Sequence, residues 1–319
     1  MADQQQREDR EEQREDREAR IDLAARALAN FLKGPDDCIA WIGSGLSIDC
    51  GYPSWEEAIR QLCDACIEGK ADIQPSLVAD DMLEWAEQCK RANPKEYIRT
   101  LGRLFGDSPH VIRTTYSHVI AHPFRFLLTT NFDPCLEMAC GPNNSVIAYP
   151  DMSLLAAGHH TSVYLHGKAR WSAKVDAANL VLAKSEFDKA YSPQRSLLPG
   201  ALQQLVVEHR ILFIGCRLQE NILKETFQRI KRIQQHLSRT PLKKKMILLP
   251  DPKDNQQSDD EEQYMASLGI EILRYPLHDV SDHHQSASPH RLLDDIWERV
   301  GLRLREQSDP FNQKGGLPS

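Results

Sequence analysis

Cys38-Ile39-Ala40-Trp41-Ile42-Gly43-Ser44-Gly45-Leu46-Ser47 decides the fold. Five apolar residues in a row, with no polar alternation, fit a strand buried on both faces. The run stops in a glycine turn. Such a turn directly after a buried strand lets backbone N–H groups approach a phosphate closely, because no Cβ stands in the way. Two familiar versions are excluded. Ile48 stands where the G-x-G-x-x-G fingerprint needs its third glycine, and no Gly-Lys-Ser/Thr follows at the spacing of a Walker loop. Two glycines alone fit a purely structural turn equally well.

Working outward, the amphipathic set Ile21, Ala24, Ala25, Leu28, Phe31 and Leu32 predicts a helix ended by Gly34-Pro35. Before it, Met1–Arg20 holds five Arg against eight acidic residues, which suits either a frayed segment or a solvated helix held by Glu–Arg pairs. Residues 54–122 read as largely helical, with one stripe of Ile59, Leu62, Cys63, Cys66 and Ile67 and another of Val78, Met82, Trp85, Ala86 and Cys89. Beyond Pro123 the pattern predicts strands at 124–129, 146–149, 162–165, 180–183, 211–214, 245–249 and 270–275. A helix carrying Ile222, Leu223, Phe227, Ile230, Ile233 and Leu237 lies between the fifth and sixth, and a last helix carries Leu292, Leu293, Ile296, Trp297 and Val300. The acidic stretch Asp251–Gln263 reads as a mobile surface loop. Short apolar strands alternating with amphipathic helices predict an α/β fold, a parallel sheet covered on both faces.

The chain has 319 residues, 27% charged, with a formal net charge of −7. This length is ample for a buried core, and the acidic balance argues against direct, non-specific nucleic-acid binding. With no apolar run approaching about 18 residues, no membrane span is expected. The eight cysteines are scattered through apolar patterns, which suits reduced thiols in the cytoplasm. Cys63-x-x-Cys66 is a lone pair on a helical face, better read as two core thiols than as a metal site. No metal is expected.

Polar residues then collect at the ends of predicted strands: Gly43-Ser44-Gly45, with Gly51-Tyr52-Pro53-Ser54-Trp55 close behind; Thr129-Thr130-Asn131-Phe132-Asp133; His166-Gly167; and Gly215-Cys216. In an open α/β sheet, ligands bind outside the carboxyl ends of the strands.

WIGSGLS (41–47) with GYPSW (51–55), TTNFD (129–133), LHG (165–167), FIGCRLQENIL (213–223), GIEILRYPLHD (269–279) and RLLDDIWERV (291–300) resemble the sirtuin-like family, in particular its bacterial NAD-cleaving branch of antiphage defence. The resemblance covers about Pro35 to Val300. It implies a Rossmann-like parallel sheet with helices on both faces and a helical insertion. The implied domain, 35–305 with the insertion at about 54–122, follows a charged segment and helix (1–34) and precedes a polar tail (306–319). It also implies NAD as substrate. Gly43, Ser44, Gly45 and Ser47 would surround its pyrophosphate, and Trp55 would cover the nicotinamide. Asn131 would orient ribose and water, Asp133 would contact the carboxamide, and His166 would act as the base. Gly215, Cys216 and Arg217 would approach the adenosine half, with Glu220 standing in for the family's Asp. Read without the family, Asn131 and Asp133 also suit a turn cap before Pro134.

The chain departs from deacylating sirtuins. No Cys lies between Cys140 and Cys216 to build their zinc ribbon, and Glu56 replaces the arginine after the aromatic. The expected activity is therefore hydrolysis of NAD to nicotinamide and ADP-ribose, with cyclisation of ADP-ribose left open. The alternatives are an NAD-dependent protein deacylase and a non-catalytic subunit that senses NAD or ADP-ribose. An unrestrained hydrolase would drain its own cell. The expected partners are thus further copies of the chain and a separate activator, such as a nucleotide- or nucleic-acid-handling ATPase or an Argonaute-type protein; the acidic N-terminal segment with the stripe from Ile21 to Leu32 is one candidate docking element, and a solubilising tail is an equal alternative.

Overall fold

The computed structural model describes residues 2–34, 37–67, 79–106, 111–152, 161–169, 179–218, 221–237, 243–277 and 290–308. Among them the strands are β1 (Cys38–Ile42), β2 (Phe126–Thr129), β3 (Val146–Ala148), β4 (Thr161–Tyr164), β5 (Arg210–Ile214), β6 (Lys245–Pro250) and β7 (Glu271–Tyr275). They form an all-parallel sheet of order β3-β4-β2-β1-β5-β6-β7. All five residues of β1 are buried, so both of its faces are covered, as its unbroken apolar sequence predicts. It pairs with β2 on one side, Ile42 opposite Thr129, and with β5 on the other, Ile42 opposite Ile214. β2 pairs in turn with β4, Thr129 opposite Tyr164. No helix among the described residues is long and apolar enough to cross a membrane.

The chain packs as two compact units, one comprising 36–247 and 264–271, the other 1–35, 248–263 and 272–319. In the first, α2 (Ser44–Ile48) follows β1, and the 54–122 region supplies α3 (Trp55–Cys66), α4 (Ala79–Ala92), α5 (Pro94–Phe105) and α6 (Thr114–Ile120). Local chemistry sets these boundaries. Ser54 caps α3 by accepting from Glu57 N–H, and Asn93 caps α5 by accepting from Glu96 N–H, with Pro94 in the first turn. Most of the expected stripes are buried, Ile59, Leu62, Cys63 and Cys66 on α3 and Met82, Ala86 and Cys89 on α4, while Ile67 and Trp85 are half-buried. Val78 lies outside the described residues. Beyond β2 come α7 (Cys135–Cys140), α8 (Lys184–Ala190), α9 (Leu198–Glu208) and α10 (Asn221–Leu237). Trp41 stacks at a tilt on Phe213 of β5 and Phe227 of α10, with centroids 5.5 and 6.2 Å away.

In the second unit, α1 (Ala2–Leu32) is helical from its charged start and packs on α12 (Leu292–Ser308). Ile21, Ala24, Ala25 and Leu28 bury one side of α1, as do Leu293, Ile296, Trp297 and Val300 on α12. Glu18 and Asp22 accept from Arg299 and Arg303 across the pair.

Two expectations fail. Residues 180–183 are not a strand. They run extended and buried, and their N–H groups find partners outside any sheet: Val181 on His166 O at 2.9 Å, Leu182 and Ala183 on the Glu186 carboxylate at 2.9 and 2.7 Å. A short apolar run shows burial, and burial does not require strand pairing. Nor is 251–263 a loop: α11 spans Asn255–Leu268. Asp254 accepts from Gln257 N–H, and i,i+4 bonds Gln256–Asp260, Gln257–Glu261 and Ser258–Glu262 sustain its polar face.

The glycine turn interlocks with the end of β5. Gly43 N–H donates to Ile214 O at 2.9 Å and Gly45 N–H to Gly215 O at 3.0 Å. A Cβ on Gly43 would lie 2.4 Å from Gly215 O and 2.8 Å from Cys216 Sγ. Gly43→Ala is therefore expected to lower stability by about 1–3 kcal/mol, measured by urea unfolding; a midpoint equal to wild type would show that the interlock yields.

Candidate active site

Because β4, β2 and β1 are neighbours in one parallel sheet, their carboxyl ends open onto the same place. Ser44 and Ser47 follow β1, Asn131 and Asp133 follow β2, and His166 follows β4. All five line one cleft that is open to solvent. Apart from Thr130, its remaining walls are mostly apolar: Tyr52, Pro53, Trp55 and Ala58 around the start of α3, Phe105 on α5, Phe132, and the extended Val181-Leu182 with Phe187 of α8. Phe105 meets Phe132 edge-on at 5.3 Å.

The Ser47 hydroxyl ties the polar side together. Asn131 Nδ2 donates to Ser47 Oγ at 2.9 Å, Tyr116 Oη lies 3.0 Å from the same atom, and Ser47 is bonded to Asp133. A hydroxyl has one proton to give and two lone pairs. With Asp133 ionised, Ser47 gives its proton to that carboxylate and accepts from Asn131 and Tyr116. The Asn131 backbone is held as well: its N–H donates to Thr129 Oγ1 at 3.0 Å, and Thr129 Oγ1–H donates to Ile42 O at 2.8 Å. With Nδ2 committed to Ser47, Asn131 Oδ1 is left as an acceptor on the cleft.

Asp133, 3% exposed, also performs the local job that its sequence position suits. Its Oδ1 accepts from Cys135 N–H at 3.0 Å, an Asx turn opening α7. Burial pushes its pKa up, and the bonds from Ser47 and Cys135 pull against that.

His166, 4% exposed, follows β4 in a turn completed by Gly167 at φ +82°, where a Cβ would lie 2.2 Å from Asn179 O. Its Nε2 lies 2.7 Å from Tyr191 Oη, and its ring meets Phe187 edge-on at 4.9 Å. Desolvation pushes its pKa down to about 3, so the ring is neutral at physiological pH by burial and not by an ordinary imidazole pKa.

Not every expected residue reaches the cleft. Ser44, Ser47, Trp55, Asn131, Asp133 and His166 line it, whereas Gly43, Gly45, Gly215, Cys216 and Arg217 do not. The N–H groups of both turn glycines are spent on β5. Cys216 Sγ–H donates to Trp41 O at 3.3 Å, Arg217 is exposed, and Glu220 lies outside the described residues. The half-buried Trp55 presents an indole N–H without a hydrogen-bond partner among the described residues. Sequence reasoning missed Tyr116, Tyr191, Phe105 and Phe187, which carry no motif and reach the site only through helix packing. Among the described residues no group of three or more His, Cys, Asp or Glu side chains is placed to hold a metal; Cys63 and Cys89 are a buried thiol pair, Sγ–Sγ 3.5 Å.

The depressed pKa of His166 has a sign. Between about 6.5 and 3 the unfolded chain binds a proton that the native ring refuses, so this residue costs stability as pH falls through that window, about 1.4 kcal/mol per unit. Asp133, with its raised pKa, works in the opposite direction. Comparing wild type with His166→Gln cancels Asp133 and the other carboxylates. Between pH 7.5 and 5.0 wild type is expected to lose more thermal stability than the variant; equal losses would show that the ring is accessible to protons.

Residues 125–273 match the SIR2-like domain family. No curated protein matches the chain. Among solved structures, one of a Sir2 histidine-to-alanine variant with a deacetylated p53 peptide and 3'-O-acetyl ADP-ribose is similar at 10% identity, over 87% of this chain and 97% of that one, with a TM-score of 0.38.

Proposed function

We propose that this chain hydrolyses NAD at the bond between nicotinamide and ribose, giving nicotinamide and ADP-ribose. The observation that carries the reading is the convergence of Asn131, Asp133 and His166 on one cleft with an apolar wall. The match of residues 125–273 to the SIR2-like domain supports it. The cleft also fits the ligand's chemistry. It offers Asn131 Oδ1 as an acceptor and an aromatic surface, Trp55 included, for a flat cationic ring.

In the reaction the C–N bond breaks with its electron pair leaving on the nicotinamide nitrogen, and a water oxygen bonds to the ribose carbon. Asn131 Oδ1 accepts a hydrogen bond from the ribose or the water and orients it. His166 takes the proton that the water releases. Asp133 and Trp55 hold the leaving nicotinamide, and Phe105, Phe132 and Phe187 restrict water around the cationic centre. A ring with a pKa near 3 is neutral but a weak base. Proton transfer to it therefore requires that bound substrate offset the desolvation of the imidazolium.

Asn131→Ala and His166→Ala are each expected to cut nicotinamide release by roughly 10²–10⁴-fold with thermal melting little changed, followed chromatographically on the purified chain. Near-wild-type release by His166→Ala would overturn the mechanism.

We further propose that the activity serves antiphage defence by depleting NAD in the cytoplasm, and that it is held off until the chain assembles with copies of itself and a separate nucleotide- or nucleic-acid-handling activator. Light scattering should then show an oligomer, and the co-purifying protein should raise NAD turnover. A fully active monomer would reject this control.

A further inference from the structure

His166 presents two ring nitrogens, and the structure treats them differently. Nε2 is held 2.7 Å from Tyr191 Oη, and Tyr191, 8% exposed, is not part of the cleft wall. Nδ1 has no hydrogen-bond partner among the described residues, while the ring itself lines the cleft. A base that serves the cleft from this ring must therefore use Nδ1, and a neutral imidazole with a basic Nδ1 carries its proton on Nε2.

We propose that Tyr191 is a positioning residue for His166: its phenol oxygen accepts the Nε2–H and so fixes the tautomer that leaves Nδ1 basic. This rests on the NAD-cleaving reading, which supplies the need for a base at Nδ1.

The surroundings fix the place of the phenol. Tyr191 closes α8, its N–H donating to Phe187 O at 2.9 Å. Its ring stacks on Phe187, interplanar angle 10° and centroids 5.6 Å apart, and meets His166 edge-on at 5.8 Å. The opposite end of α8 is anchored to the helical insertion. Ser185 N–H donates to the buried Glu87 of α4 at 3.0 Å, and Glu186 takes Lys90 of α4 at 2.8 Å and Tyr97 Oη of α5 at 3.3 Å. Phe187 and Tyr191 thus close on the imidazole from a helix anchored at its start to α4 and α5, which restricts ring rotation.

Tyr191→Phe removes the acceptor and keeps the stacked ring. Ring ¹⁵N spectra of the ligand-free protein at neutral pH are expected to show His166 protonated at Nε2 in wild type and a mixed or reversed tautomer in Tyr191→Phe. In the NAD assay the variant should lose about tenfold or more in kcat with KM within about twofold, since Tyr191 does not touch the cleft. Protonation at Nδ1 in wild type would overturn the proposal. So would a variant with an unchanged tautomer and unchanged kcat. Should the variant fail to fold, the wild-type spectrum decides alone. A chain that cleaves no NAD yet loses the Nε2–H tautomer in Tyr191→Phe would uphold the positioning role and overturn the proposed reaction instead.

Discussion

Parallel pairing of β1 with a neighbour on each side is the constraint on which the rest of the site depends. Ile42 sits opposite Thr129 and Ile214, and Thr129 sits opposite Tyr164. Four strands therefore end at one level and in one direction. Residues far apart in the chain are brought together without any loop having to reach for them. The register is fixed by burial. β1 is buried on both faces, so a slip of one residue would move Trp41 off Phe213 and Phe227. The Thr129 hydroxyl reinforces the alignment by joining the end of β1 to the backbone of Asn131.

At the next level the polar side chains are arranged by satisfying one another. A buried carboxyl, an amide and two hydroxyls would each be costly without partners; around Ser47 they share a single closed set of bonds. That closure orients Asn131, whose amide has only one rotamer flip that donates to Ser47 Oγ and leaves oxygen on the cleft. Stability and orientation have the same cause here, so removing Ser47 would loosen both.

What was legible in the sequence is what is local. The β1 run, the polar residues at strand ends and the helical stripe of α3 all declare themselves within a few residues, and the structure forms each of them. Contacts between distant elements are not declared in that way. Tyr116 is 69 residues from Ser47 and Tyr191 is 25 from His166, and no spacing rule links either pair. Residues 180–183 show the same limit from another side. Their apolar content announced burial correctly, but their backbone partners are the His166 carbonyl and a glutamate three or four residues ahead. The glycine turn was legible as a turn. Its N–H groups, however, are consumed by the end of β5, which a single strand's sequence cannot reveal.

His166 shows how the fold and the proposed chemistry restrain each other. Complete burial makes its charged form expensive and leaves a neutral ring with a pKa near 3, which by itself is a poor proton acceptor at pH 7. A base confined to that environment works only when something else supplies the compensating charge. Among the described residues no acidic group, Asp133 included, measurably offsets that cost, desolvation being the only resolved cause of the shift. The compensating charge then has to arrive with the ligand, and an anionic dinucleotide is one that carries it. In the proposed reaction, coupling basicity to occupancy would keep the ring inert in the empty cleft and make it competent where Asn131 orients a sugar hydroxyl or water.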